Sequence, residues 1–343
     1  MITNIVGRHN YIWFYIAFIV FFCLVIIIIV KKTMQSGYSI EKKKKLVEDS
    51  KFISEKREKY EKMMNEYNND LQPKREQVRK SFIIYGIVCV IPFIMFFITQ
   101  NLLFLLLFII VVIGFGLVFT RLSSGYYRSY AQKTNQTIAT ILKEFDNNLD
   151  YYPSNGYNRT EYMSLYFGEY CDHYSSNDMI INTKTGFCYA NVLTEREEED
   201  KDGDTYYVTE FDGTLARLGI KNVGCTIILG GLSNKSFRKS DTFEMIKFEN
   251  DDFNKEFLCF SDNELISYKI LTPDIMEEFI NIKKNTIGDI DIRIVNDKLY
   301  IRFRGTNGFD EMGENLFESM AVLEEIIKTM DKIKIIIDNR VVD

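Results

Sequence analysis

Three uncharged apolar runs, each roughly twenty residues long, constrain this chain more than any other feature. Tyr11 to Val30 ends at Lys31-Lys32, while Phe82 to Thr99 and Leu102 to Thr120 are separated only by Gln100 and Asn101. A helix of about twenty apolar residues matches a hydrocarbon core of about 30 Å, so the pattern predicts three membrane-spanning helices, the last two forming a tight hairpin. A cleaved signal peptide suits the first run less well, since the usual apolar region is about 7–15 residues and no small-x-small cleavage site follows. Tyr11, Trp13 and Tyr15 fit an interfacial aromatic belt. The expected fold class is a multi-pass α-helical membrane region plus a cytosolic α+β domain with a largely antiparallel sheet.

Charge segregates along the 343 residues: +1 over residues 1–30, +6 over 31–80, zero over 81–120 and −13 over 121–343. Basic residues mark cytosolic loops, and Lys31, Lys32, Lys42 to Lys45, Arg75, Arg79 and Lys80 place 31–80 there, as Arg121 and Arg128 place the tail. The predicted organisation is an N-terminal transmembrane helix (1–30), a charged cytosolic helical segment (31–80), a transmembrane helical hairpin (81–120) and a cytosolic α+β domain (121–343). The predicted location is the cell (plasma) membrane, multi-pass, with the N-terminus outside and a lipid bilayer as partner. An acidic tail is a poor partner for phosphate backbones, so nucleic acid is discounted. No ionisable residue interrupts the runs, which argues against a transporter, and they offer no polar lining for a channel.

Within 31–80, Leu46, Ile53, Tyr60 and Tyr67 recur every seven residues, with Met64 and Leu71 four beyond the last two. Ser50 and Arg57 interrupt the second apolar position, leaving two readings: a homo-oligomer or partner-docking helix, or a helix lying on the protein's own cytosolic domain. Ile138, Ile141, Leu142, Phe145 and Leu149 predict a helix leading into the folded tail. A loop is expected at 151–156 and a short helix at 161–169. Strands are expected at Gly186–Glu195, Thr205–Leu215, Cys225–Leu229, Glu244–Phe248, Glu256–Phe260 and Leu265–Leu271. Ile290, Ile292 and Ile294 alternate before Asn296-Asp297-Lys298, as Leu299, Ile301 and Phe303 do after it, which predicts a hairpin. Thr272-Pro273-Asp274 reads as a helix start, and Leu316, Met320, Leu323, Ile327 and Met330 as the apolar face of a last helix. Strands in succession with flanking helices give the α+β expectation.

Several pieces in order carry a resemblance: YYPSNG at 151–156, FDGTL at 211–215, IKFEN at 246–250, FNKEFLCFSDNELISYKILTP at 253–273 and the NDKLYIRF hairpin. Over roughly residues 130–330 the chain resembles the uncharacterised bacterial membrane-protein family called domain of unknown function 3137 (DUF3137). Where that family has an acidic-Ala-Arg sequence before its Leu-Thr-Pro element, this chain has Ile266-Ser267-Tyr268-Lys269. The resemblance implies a membrane-tethered cytosolic domain and no established reaction, so it carries over no catalytic residue.

Candidate chemistry is sparse. Of the two histidines, His9 is near the start and His173 follows Glu169-Tyr170-Cys171-Asp172, short of four metal ligands and without C-x-x-C spacing. Cys171 with His173 lacks a catalytic signature, and Cys188, Cys225 and Cys259 read as small buried hydrophobes. Glu198, Asp200 and Asp202 before Gly203 imitate a calcium loop, but Thr209 stands where a bidentate Glu is needed, so a hairpin tip is expected. The glycines at Leu229-Gly230-Gly231 and in Arg304–Gly308 lack the lysine of a phosphate loop and read as turns. Asn135, Asn158 and Asn234 begin glycosylation sequons that a cytosolic tail would not use. No catalytic, cofactor-binding or metal-ligating residue is assigned. The leading expectation is a non-enzymatic, membrane-anchored binding or scaffold domain, with a protein partner or second copy meeting the 31–80 helix or the acidic tail. The alternative is a membrane-surface enzyme with a carboxylate-based site.

Overall fold

The computed structural model describes residues 45–99, 101–167, 171–201, 203–231, 243–285, 289–305 and 314–341. Two long helices lead into it, α1 (Lys51–Thr99) and α2 (Leu102–Phe145), joined by a turn whose Asn101 side chain accepts a hydrogen bond from the Leu103 amide and caps α2. Ser50 caps α1 in the same way, its hydroxyl oxygen accepting from the Ile53 amide at 3.2 Å. The heptad stripe is used internally. Ile53, Tyr60, Tyr67 and Leu71 are buried, and Ile53 and Tyr60 share one core with Ile138, Ile141 and Leu142 of α2. Phe52 meets Phe145 edge-on at 4.9 Å, and Tyr67 shares a hydrogen bond with Thr134 at 2.8 Å.

Among the described residues no helix is long and apolar enough to cross a membrane. This overturns the multi-pass helical region, the transmembrane reading of Phe82–Thr99 and Leu102–Thr120, and the multi-pass plasma-membrane placement with an external N-terminus. The physical difference is continuity. Those two runs are the far halves of helices 49 and 44 residues long, whose near halves are polar and paired. The Tyr11–Val30 run, Lys42 to Lys44 and His9 lie outside the described residues.

The rest of the chain builds one nine-stranded sheet from β1 (Leu149–Tyr152), β2 (His173–Asn182), β3 (Phe187–Glu199), β4 (Thr205–Gly219), β5 (Thr226–Gly231), β6 (Glu244–Ile246), β7 (Phe257–Ser261), β8 (Ile290–Val295) and β9 (Lys298–Arg304). Its order is β1-β2-β3-β4-β9-β8-β5-β7-β6, and every described pairing is antiparallel. The helices are α3 (Arg159–Met163), α4 (Asp251–Glu256), α5 (Glu264–Ile270), α6 (Pro273–Asn285) and α7 (Glu314–Arg340). The expected antiparallel sheet is therefore present, with three departures. Strand β1 takes Leu149, expected on the helix before it, which instead ends at Phe145, and Tyr151-Tyr152, read as loop, while β2 lies in sequence left unassigned. Residues 265–271, expected as a strand, form α5, because the Asn263 side chain accepts from the Ile266 amide at 3.1 Å and starts a helical turn. Gly230 and Gly231, expected in a turn, close β5 opposite Leu258 and Phe257.

One sheet face is apolar: Ile292, Ile294, Leu299, Ile301 and Phe303 join Phe279 of α6 and Leu316, Met320 and Leu323 of α7 in the main core. The other face, under α3 and the segment after it, carries Tyr157, Tyr162, Phe167, Phe211 and Tyr300. Alternation along β8 and β9 turns Asp291, Arg293 and Arg302 to this second face, where all three are buried. Arg302 donates to Asp291 at 3.1 and 2.5 Å and to the Tyr162 hydroxyl at 2.8 Å. Arg293 donates to the carbonyls of Leu165, Leu229 and Ile292 at 2.9, 2.7 and 2.8 Å. The Phe167 ring lies against both guanidinium groups, 4.5 Å from that of Arg293 and 4.0 Å from that of Arg302.

Removing one partner of a buried ion pair leaves an uncompensated charge. Asp291→Ala should lower the unfolding free energy by about 3–5 kcal/mol, read from urea denaturation, and a loss below about 1 kcal/mol would show that the pair does not hold the fold. On the helical base, the hydrogen bond from Lys59 holds the Glu144 carboxyl below its ordinary range, with Lys56 at 3.7 Å adding to it. A depressed folded pKa contributes stability that is complete above the unfolded value and lost as pH falls through the folded one. Acid titration of the melting temperature should therefore show a loss setting in below about pH 4.3 that Glu144→Gln lacks.

Candidate functional site

On the β2–β3–β4 end of the sheet a cavity of about 300 Å³ is lined by Ser175, Asn177, Asn191, Val192, Leu193, Asp212 and Gly213. Its shape begins with a bulge in β2. Asn177 pairs with Asn191 and Ile180 with Tyr189, so two β2 residues oppose one on β3, and Asp178 adopts φ +55. The YYPSNG segment holds that bulge. The Pro153 carbonyl accepts from the Asp178 amide at 3.0 Å, the Asn155 carbonyl from the Met179 amide at 3.1 Å, and the Tyr151 hydroxyl donates to the Asp178 carboxylate. Any side chain at Gly156 would fall on the Ser176 backbone, so this approach requires glycine. Ser176 completes the tie by accepting from the Tyr157 amide at 2.9 Å and donating to the Asn191 carbonyl at 2.6 Å.

Asn191 is buried at the cavity wall, and its amide nitrogen donates to Asp178 at 3.1 Å. A carboxylate accepts only, so this bond fixes which end of the amide carries the oxygen. That oxygen, Oδ1, is buried with no hydrogen-bond partner among the described residues. Leaving such an acceptor unmet costs about 1–3 kcal/mol. Asp212 is the one carboxylate among the described lining residues. Beside it, a Cβ on Gly213 would collide with the Phe303 carbonyl of β9, so FDGTL sets strand contact and cavity wall together.

Other candidates separate. Cys171 donates to the carbonyl of His173, whose imidazole packs edge-on against Tyr207 at 4.5 Å; the pair has no nucleophile–base geometry. Burial raises the thiol pKa of Cys188, that of Cys225 to about 11, and that of Cys259 further still, which disfavours thiolate chemistry. Glu198 pairs with Arg196 and Tyr206 on the β3–β4 hairpin, and Gly203 at φ +87 turns its tip; Asp202 lies outside the described residues. Among the described residues no group of three or more His, Cys, Asp or Glu could hold a metal ion. Asn158 caps α3, accepting from the Thr160 amide at 2.8 Å. Sequence reasoning missed Asn191, and the available signal was a lone amide inside the otherwise apolar Cys188–Leu193 stretch.

Residues 209–339 match the family model described as "Protein of unknown function (DUF3137)", a span that includes FDGTL and the β8–β9 hairpin but begins after YYPSNG. No curated protein matches the chain. Among solved structures, it is similar to the crystal structure of the mycobacterial trehalose monomycolate transport factor A, TtfA, at 8% identity and a TM-score of 0.36, over 60% of this chain and 92% of that one.

Gly213→Ala should destabilise the fold by about 1–3 kcal/mol in thermal or urea unfolding. Gly219→Ala on the same strand, where a Cβ meets nothing within 4 Å, should not. Equal effects would remove the close-approach argument.

Proposed function

We propose, from the premise that residues 209–339 make this chain a member of the DUF3137 family, that its α+β unit is a binding module rather than an enzyme, and that its ligand or partner seats at the β2–β4 cavity. The observation that carries this reading is Asn191 Oδ1, a buried acceptor oriented by Asp178 and left without a protein partner among the described residues. Unmet buried acceptors are rare, and one at a cavity wall supports a water or a ligand group that donates to it. The lining offers amides, a hydroxyl and one carboxylate. That set supports hydrogen-bonded recognition, whereas the paired acids of a carboxylate-based acid–base site are not both among the lining residues.

Ser175 and Asn177 are exposed, so both can be changed without disturbing the core. Crosslinked capture by tagged full-length protein, read by mass spectrometry for proteins and small molecules, should yield a stoichiometric species that Asn177→Trp reduces about tenfold. A surface change of this kind alters stability by no more than about 0.5 kcal/mol. Equal recovery by both proteins would exclude the cavity as the binding site. Saturable turnover abolished by one substitution in residues 121–343 would replace binding with catalysis.

A further inference from the structure

The far half of the α1–α2 hairpin presents an unusual surface. Ile83, Ile84, Ile91, Ile98, Leu103, Ile110, Ile113 and Leu117 are all exposed, and Val88, Leu106, Leu107 and Ile109 with them. Apolar patches beyond a few hundred Å² mark contact surfaces. None of these side chains belongs to either hydrophobic core.

The register of the hairpin says what borders the patch. Tyr67 meets Thr134, Asp70 meets Lys133 and Lys74 donates to Ser129 at 2.6 Å, so the helices run antiparallel and Arg79 and Lys80 stand level with the start of the polar half of α2. Exposed Arg75, Arg79, Lys80, Arg121 and Arg128 therefore form a collar where the apolar half begins. The nearest acid, Glu76, lies 3.6 Å from Lys80, and from residue 77 to residue 143 the sequence holds no Asp or Glu. Tyr126 and Tyr127, their rings 5.5 Å apart, occupy the same band, with Tyr127 exposed. Apolar tip, amphipathic aromatics and cationic collar follow one another along one axis.

We infer that this half of the hairpin docks on an anionic lipid surface, its apolar side chains entering the acyl boundary and its collar meeting phosphate headgroups. Charge complementarity selects this occupant. A second copy of the same chain would set collar against collar or bring the cations over an uncharged tip, whereas anionic headgroups neutralise the arginines, at a gain that grows with each cation held near the surface. Tyrosine suits the boundary because its ring is apolar and its hydroxyl wet. Contact of this kind requires no helix to cross the bilayer. It is independent of the cavity, which sits on the sheet.

The test is flotation of purified full-length protein with phosphatidylcholine vesicles, with or without phosphatidylglycerol, at low and high salt. The protein should float with the anionic vesicles and far less with the neutral ones. Combined Arg79→Glu, Lys80→Glu, Arg121→Glu and Arg128→Glu should weaken association about a hundredfold or more. Ile110→Asp with Ile113→Asp should abolish flotation while leaving the far-ultraviolet circular dichroism spectrum unchanged, since both side chains are exposed. Protein that stays at the bottom of the gradient with both vesicle types overturns the inference. So does a dimer or larger oligomer in sedimentation that Ile110→Asp dissociates, which would make a second copy the cover.

Discussion

The second face of the sheet depends on one arrangement: two buried guanidinium groups bracketing the Phe167 ring. Arg302 is neutralised by Asp291 on the adjoining strand, and Arg293 spends its donors on the carbonyls of Leu165, Leu229 and Ile292. Burying a charge is costly unless it is paired and fully hydrogen-bonded. The segment after α3 supplies much of that satisfaction through the Leu165 carbonyl, the Tyr162 hydroxyl and the Phe167 ring. Lifting the segment would take these partners away from both arginines. Arginine suits this role through its planar fork, which donates in several directions while its faces stack on aromatic rings.

That anchoring extends towards the cavity. Phe211 packs its ring 4.3 Å from the Arg302 guanidinium, Asp212 turns to the opposite face and lines the cavity, and Gly213 admits the Phe303 carbonyl. Three consecutive residues of β4 thus join the arginine cluster, the cavity and the strand contact. On the other wall, Asp178 holds Asn191 through a bulge that YYPSNG fastens. Segments 211–215 and 296–303, which are far apart in sequence, meet because β4 lies beside β9, while 151–156 fastens β2, two strands from β4 in the same sheet.

The two long helices divide their labour by half. Near the sheet they bury Ile53, Tyr60, Ile138 and Leu142 in the main core and exchange ion pairs and hydrogen bonds along their length. Further out they expose isoleucine and leucine on several sides. The heptad pattern of 46–71 serves the first half, so its apolar stripe is already covered by α2 and the sheet core.

Hydrophobic period by itself determined helical structure at both ends of α2, most strands of the antiparallel sheet, the β8–β9 hairpin and the burial of Leu316, Met320, Leu323 and Met330, because those signals are local and repeat at 2 or 3.6 residues, and the Thr-Pro-Asp capping signal marked the α6 start at Pro273. The apolar runs also stood out, but sequence could not show that two of them continue helices begun in charged segments, and so it overstated them as independent spans. Only the tertiary structure decided where the polar residues of β8 and β9 face. Alternation put Asp291, Arg293 and Arg302 opposite the apolar side, which normally means solvent, until α3 and its following segment covered them. The same holds for Asn191. A single amide in a strand becomes a site only when a bulge 13 residues earlier in the chain brings a carboxylate to orient it, and that proximity is set by the pairing register of β2 and β3 rather than by local sequence.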